Sequence, residues 1–418
     1  MPNVNRRGFL AGCATAGISA MTYAAAPTAG ATPRSTTTLF DFDAVADGSF
    51  DFATRTMRGT DNTAAINSAL ASGQTVAIPP GWFYYSGTLH TDVNGSGLSG
   101  SGSQSSYLIT DQSLDRHIAV VEGTVDTTWT GFSMIGPFIN DGNDLNRAFT
   151  VGVKSDLVTL STKPWDAAGT WIDDFTTLGY CVGMHIAAAD NVSFGSVEFR
   201  ESGDSRAEPG AYGLTCSGSN LRGNSVRAIN AGTRARHAVY YTGPANDCFV
   251  ETIEAKGFDF AAVQNRATKG GGKGNGFGNG KFEDCNLATN ESANLRGVVN
   301  FTCADDKVVS GAGGARIGSY AAIHCGGFPG PSLRYMPDSQ CGKVMVYGHL
   351  GTFLTDHYGA HIYRSANVEL PLMIYVSGFD AGGLNDPSFR PLVVEESPDC
   401  HGGGVEMQPG GVFSSQPN

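Results

Sequence analysis

Charge is scarce in this chain: only 16 % of its 418 residues are Asp, Glu, Lys or Arg. What charge there is sums to −12, so the basic footprint of a nucleic-acid binder is absent. No two cysteines form a CxxC pair, which argues against a zinc ribbon. No apolar run is long enough and free enough of small residues to anchor the chain in a bilayer. Helical periodicity is also missing from the second half. Glycine supplies 57 residues, about double its usual share, and it weakens helix interiors. Apolar content nevertheless stays at a globular 41 %. These absences leave a folded, turn-rich, mainly β chain.

The N-terminus reads Asn5-Arg6-Arg7-Gly8-Phe9-Leu10, followed by a mild apolar run to Ala26. A twin arginine before Phe-Leu is the pattern of twin-arginine export, and Ala24-Ala25-Ala26 or Ala29-Gly30-Ala31 offers a small-residue cleavage site. We therefore expect residues 1–31 to be a leader, residues 38–418 to be the folded domain, and the mature protein to be secreted or periplasmic. Eight cysteines lie beyond the leader. That route carries proteins already folded in a reducing cytoplasm, so buried free thiols are the default.

From residue 190 onward one pattern recurs: Asn or a similar residue, a short strand, a polar turn, another strand. Its starts are Asp190, Asn220, Asn246, Asn279, Asp306, Cys341, Asn367 and Asp399. Each unit is too short to bury a core alone, and stacking must bury it. Two or three short strands per unit exclude a propeller blade. Thr127–Ile139 and Thr170–Ala188 read as earlier, less regular coils. The fold expected is all-β, a single-stranded right-handed parallel β-helix. Its extra residues should fall between the Asn-led strand and the last strand, in loops such as Gly270–Gly280 and Gly326–Ser339.

The N-terminal part adds a resemblance. Phe40 to Gly48, then Gly59-Thr60-Asp61-Asn62-Thr63-Ala64-Ala65-Ile66, then Val76-Ala77-Ile78-Pro79-Pro80-Gly81 precede Tyr85-Ser86-Gly87. This resembles the opening of the pectate-lyase-like β-helix superfamily of polysaccharide lyases, glycosidases and phage tailspikes. Asp43 stands where that pattern has its first Gly, and an insertion, Ser49–Arg58, separates strand from helix. The likeness covers roughly residues 39–90, the expected N-terminal cap, and implies fold more than chemistry. Thr60 or Asp61 can cap a helix running to about Leu70, whose apolar face would close the open end of the core. Trp171-Ile172-Asp173-Asp174 is similar to a strand of true pectate lyases, but the catalytic arginine motif of those enzymes does not follow. The acidic motifs of polygalacturonases are missing as well.

Aligning the last strand of each unit puts Val182–Ile186, Tyr212–Cys216, His237–Tyr241 and Tyr358–Ile362 in one register. Strand residues alternate faces, so Met184, Leu214, Val239 and Ala360 point inward. His185, Thr215, Tyr240 and His361 then form an outward row, joined by Gln264 and His324. A neighbouring row carries Tyr212, His237, Arg296 and Tyr358. Outward aromatics and imidazoles suit a sugar-binding groove; they would equally make an ordinary surface ladder.

The densest cluster is Arg234-Ala235-Arg236-His237-Ala238-Val239-Tyr240-Tyr241. Arg234 or Arg236 can hold a carboxylate bidentately, His237 is the acid or base nearest neutrality, and Tyr240 can protonate a leaving oxygen. Those are the roles that β-elimination of a uronate requires. Alternation would turn His237 and Tyr240 to opposite faces, so their joint use needs a bend between them. Residues 190–281 hold eleven Lys and Arg against nine Asp and Glu, so an anionic ligand is sought there. Arg266, and Lys269 and Lys273 on a glycine-rich lip, would assist binding.

Three functions compete. A polysaccharide lyase on a uronate-containing glycan draws on the Arg/His/Tyr cluster. A glycoside hydrolase or glycan transferase would use two facing carboxylates, with Asp204 and Asp259 the leading candidates beside Glu201, Glu208 and Glu254. A non-catalytic glycan-binding surface protein needs neither. In every case the partner is a polysaccharide. No cofactor or resident metal is called for. A calcium site is open for a lyase, but no run of three acids appears in the central coils. His349, His357 and His361 with Asp356 lack the spacing of a zinc motif. Trimers occur on this scaffold, so a homotrimer is open, though nothing demands one.

Overall fold

The computed structural model describes residues 37–138, 146–203, 211–230, 235–258, 262–265, 275–282 and 285 with their side chains. Beyond these it describes the backbone alone of the remaining strands, through His401–Gly402. The expected leader and its cleavage sites lie outside the described residues. Contacts divide the chain into Met1–Ser35 and Thr36–Asn418, and the architecture below is that of the second unit.

Among the described residues, parallel strands build two long sheets, one of 11 strands and one of 13. Successive strands alternate between them. Ser193–Arg200 lies in the larger sheet, Tyr212–Cys216 in the smaller, Arg222–Ile229 in the larger and His237–Gly243 in the smaller. Each strand thus pairs with its counterparts one coil before and one coil after, as Leu214 pairs with Met184 and Val239. This is the single-stranded parallel β-helix, wound in the right-handed sense that parallel crossovers adopt. A short third ladder pairs Trp165–Asp166 with Ala189–Asp190 and continues by single bridges through Ser219 to Asn246.

The turn residues of the repeat have a backbone cause. Asn191, Asn220 and Asp247 have φ of 61°, 55° and 53°, each just before a strand of the larger sheet. Asn and Asp adopt this left-handed conformation more readily than other side chains. The start expected at Asn279 is corrected: that residue lies inside the strand Gly276–Glu283, and the buried Asn275 just before the strand accepts from the Cys248 amide at 3.0 Å. The starts expected at Asp306, Cys341, Asn367 and Asp399 lie outside the described residues. The short strands Glu369–Leu370 and His401–Gly402 pair with each other outside both long sheets. The loop expectation shifts too. Residues 270–274 and 327–339 lie outside the described residues, but the strands before them belong to the smaller sheet and those after them to the larger, and the first segment ends within the strand Gly276–Glu283.

Aromatic rings stack along the interior. Trp129, Phe132, Phe149 and Phe175 come from both sheets and meet edge to face at centroid distances of 5.1 to 5.6 Å. Burying each such ring contributes about 1.5–3 kcal/mol. Cys181, Cys216, Cys248 and Cys285 are free and buried, as the apolar use of cysteine predicts.

The end of the core is closed by the helix Thr63–Ala71, which buries Ile66, Ala69 and Leu70 against Leu39–Phe42 and Leu89–Thr91. Asn62 precedes it and is buried; its amide receives the Val45 N–H and lies within 3.0 Å of the carbonyls of Val45, Thr60 and Tyr84. Asp61 accepts from the Thr63 amide and hydroxyl and from Ser86. Burial opposes its ionisation, but these hydrogen bonds hold its carboxyl below the usual range. Gly48 fits under the Trp82 carbonyl, where a Cβ would come within 2.6 Å. The insertion Ser49–Arg58 is an antiparallel hairpin.

Candidate functional site

The strand His237–Gly243 shows why two residues three apart share a face. Val239 and Tyr241 point into the core, and so does Ala238, fully buried in the same cluster. Two successive residues turn inward, and the Cα pairing is interrupted between His237 and Val239. The chain bends there, so His237 and Tyr240 emerge together. Their ring centroids stand 5.1 Å apart, and Tyr212 of the preceding coil stacks on both, at 5.8 Å from His237 and 5.3 Å from Tyr240. The same interruption falls at Ala148, Gly183, Gly213 and Ala262. At Gly183 and Gly213 no side chain fits: a Cβ on Gly183 would lie 2.2 Å from the Phe199 ring, and one on Gly213 2.5 Å from the Ala238 carbonyl; nearer the N-terminus His117 takes the same position.

This bend creates two rows on the outer face of the 11-stranded sheet. One runs Arg116, Arg147, Val182, Tyr212, His237, Ala261. The other runs His90, Ala119, Thr150, His185, Thr215, Tyr240, Gln264, Asn290, His324, His361. His185, Tyr240, Gln264, His324 and His361 therefore occupy one register row. Tyr358 takes the register position of His237 through Ala321.

Arg296 does not. It opens a strand of the 13-stranded sheet, paired with Gly276, and its expected place is held by Leu287. The alignment slipped because coil lengths vary and an arginine before an apolar run is no signature of either sheet. Arg266 lies in Ala261–Ala267, in register with Thr242. Asp204, Arg234, Asp259, Lys269 and Lys273 lie outside the described residues. Glu254 belongs to the opposite sheet, in a ladder with Arg227 at 3.1 Å and Lys281 at 3.8 Å, and cannot face this site.

His237 departs from expectation in one respect. It is 1 % exposed, enclosed with its ring partners, where an outward strand position suggested solvent. Tyr212, Tyr240 and Arg236 are half-buried. Burial raises the Tyr212 phenol above its ordinary value, the Arg236 charge and hydrogen bond oppose that, and Tyr240 adds to it. Tyr241 is core, its hydroxyl donating to the Gly276 carbonyl at 2.9 Å. Burial, then the charges of Arg147 and Arg116, push the His185 imidazole down to about 3, so it is neutral near pH 7.

Arg116 and Arg147 are the residues that sequence reading missed. Arg116-His117-Ile118-Ala119 and Arg147-Ala148-Phe149-Thr150 occupy the register of Tyr212-Gly213-Leu214-Thr215. Carrying the alignment two coils toward the N-terminus would have found them. Asp115 bridges the pair, reaching Arg116 at 2.6 Å and also contacting Arg147.

No family model matches the chain, and no curated protein matches it. Several solved structures are similar. A mannuronan C-5 epimerase A-module from Azotobacter vinelandii aligns at 14 % identity and a TM-score of 0.47, over 87 % of this chain and 99 % of its own. A family 28 exopolygalacturonase from Yersinia enterocolitica aligns at 12 % and 0.47, over 87 % and 78 %. The catalytic unit of an α-1,3-glucanase from Streptomyces thermodiastaticus strain HF3-3 aligns at 13 % and 0.36, over 90 % and 71 %.

Proposed function

We propose that this protein is a carbohydrate-active enzyme that cleaves an acidic polysaccharide by β-elimination on the outer face of its 11-stranded sheet. The observation that carries the reading is the Tyr212, His237 and Tyr240 ring cluster beside Arg236, brought to one face by the bend at Ala238. Two half-buried tyrosines present ring faces and hydroxyls to a sugar, and Arg236 supplies a fork for its carboxylate.

In the reaction the C5–H and C4–O4 bonds of a uronate break, a C4–C5 double bond forms, and O4 departs with a proton. Arg236 lowers the cost of charge on the C5 side by pairing the carboxylate. Tyr240, reacting as its phenolate, takes the C5 proton and returns it to O4 as the C4–O4 bond breaks. His237, enclosed behind it, acts as a positioning residue that holds both phenol rings.

The mature protein would be incubated with a panel of uronate and neutral glycans while ultraviolet absorbance is followed. Formation of an unsaturated uronate supports elimination. New reducing ends without that absorbance would overturn it in favour of hydrolysis.

A further inference from the structure

Arg116 and Arg147 are 5 % and 8 % exposed, yet one carboxylate, that of Asp115, bridges the two guanidiniums. Arg116 also donates from one terminal nitrogen to the Leu157 carbonyl at 3.1 Å. Three buried polar atoms in this patch have no partner: Nε of Arg116, Nε of Arg147 and the hydroxyl oxygen of Thr150. The Thr215 hydroxyl, two strands further along the outer row, is unpartnered as well.

A buried donor left without an acceptor is destabilising, and buried positive charge demands a counter-charge. The next carboxylate whose field reaches Arg116 is Asp156, which is already engaged by the Val158 and Thr159 amides and the Thr159 hydroxyl. His185, which shares a row with Thr150, is held uncharged and adds no repulsion. Unsatisfied donors, surplus positive charge and a neutral rim together fit an anion that presents two or more acceptor oxygens.

The patch lies on the same face as the ring cluster. Arg147 is two strand steps from Tyr212 and three from His237, and at about 4.8 Å per step the second distance is roughly 14 Å. We infer that Arg116 and Arg147 form an anion subsite that grips a carboxylate or sulfate ester of an acidic glycan lying along the sheet, more than one sugar unit from the ring cluster. The inference rests on reading this face as the glycan site, but not on the reaction performed there.

The test is calorimetric titration of the wild type and of Arg147→Gln with three hexasaccharide probes: a uronate series, its carboxyl-reduced neutral forms, and a sulfated neutral series. The wild type should bind an acidic probe at least tenfold more tightly than its neutral form. Arg147→Gln should lose that preference while binding the neutral form unchanged. Loss confined to the uronate probes identifies a carboxylate as the occupant; loss confined to the sulfated probes identifies a sulfate ester. If Arg147→Gln loses its cooperative melt, Arg147→Lys carries the test, since it keeps the charge and removes the fork. Equal binding of acidic and neutral probes by the wild type, or an undiminished preference in a folded variant, overturns the subsite. A wild type that binds uronate through Arg147 yet forms no unsaturated product would sink elimination and leave the subsite standing.

Discussion

His237 shows how a single side chain can be both a candidate for function and part of the scaffold. Its ring is enclosed by Tyr212 and Tyr240, so truncation removes two aromatic contacts as well as an imidazole. His237→Ala should lower stability by about 2 kcal/mol, measured as a shifted urea midpoint, and its activity loss would be uninformative. His237→Phe keeps the ring and removes the titrating group. Near-native stability with undiminished turnover in that variant would exclude a proton role for the imidazole. A second histidine makes a pH prediction. His117 is buried inside the core, 3.0 Å from the Tyr85 hydroxyl, and burial lowers it to about 3. Because the folded value lies below the unfolded one, near 6.5, the unfolded chain takes the proton first and stability falls with acidification. The loss from this residue should reach about 2 kcal/mol by pH 5 relative to pH 7. Urea melts of wild type and His117→Phe at both pH values would check it, the variant showing the shallower decline.

At the scale of the strand, small residues line the bend from Ala148 through Gly183, Gly213 and Ala238 to Ala262. Gly213 faces Phe199 and the Ala238 carbonyl at distances no side chain tolerates. Gly213→Val should cost about 1–3 kcal/mol by overpacking, and it should also disturb the Tyr212 ring beside it. Thermal melting together with near-ultraviolet circular dichroism would report both, and an unchanged aromatic spectrum would disconnect the bend from the cluster. The other long sheet offers a contrast. Glu198, Arg227, Glu254 and Lys281 alternate in charge along one register row. Arg227, Glu254 and Lys281 are substantially exposed and Glu198 is half-buried, so Arg227→Ala should cost less than about 1 kcal/mol and less still at high salt.

At the scale of the whole Thr36–Asn418 unit, the solenoid depends on its first coil. Neighbouring coils support one another, and the helix that covers them is the only described element that buries the exposed end of the stack. Leu70→Ala should cost about 2–5 kcal/mol. Nearest-neighbour coupling places the loss near the cap, so amide exchange should accelerate in Leu89–Thr91 while Phe249–Lys256 stays protected. Uniform acceleration would show that the stack unfolds as one cooperative block.

Sequence alone determined the β-helix, its repeat starts near Asn191, Asn220 and Asp247 though not at Asn279, and the capping helix, because these depend on short-range chemistry: left-handed Asn and Asp before strands, and an amphipathic helix after an Asp-x-Thr turn. It also placed His185, Tyr240, Gln264, His324 and His361 in one row, since strand pairing in a solenoid preserves register from coil to coil. What only the tertiary structure decided was which face each residue shares and what covers it. Arg296 went to the opposite sheet because coil length is not encoded in any one residue. His237 and Tyr240 came together, and His237 was enclosed, because a bend at Ala238 breaks the alternation that strand geometry leads one to assume. Arg116 and Arg147 drew no notice in the sequence, for a buried pair sharing one carboxylate exists only once distant coils are stacked.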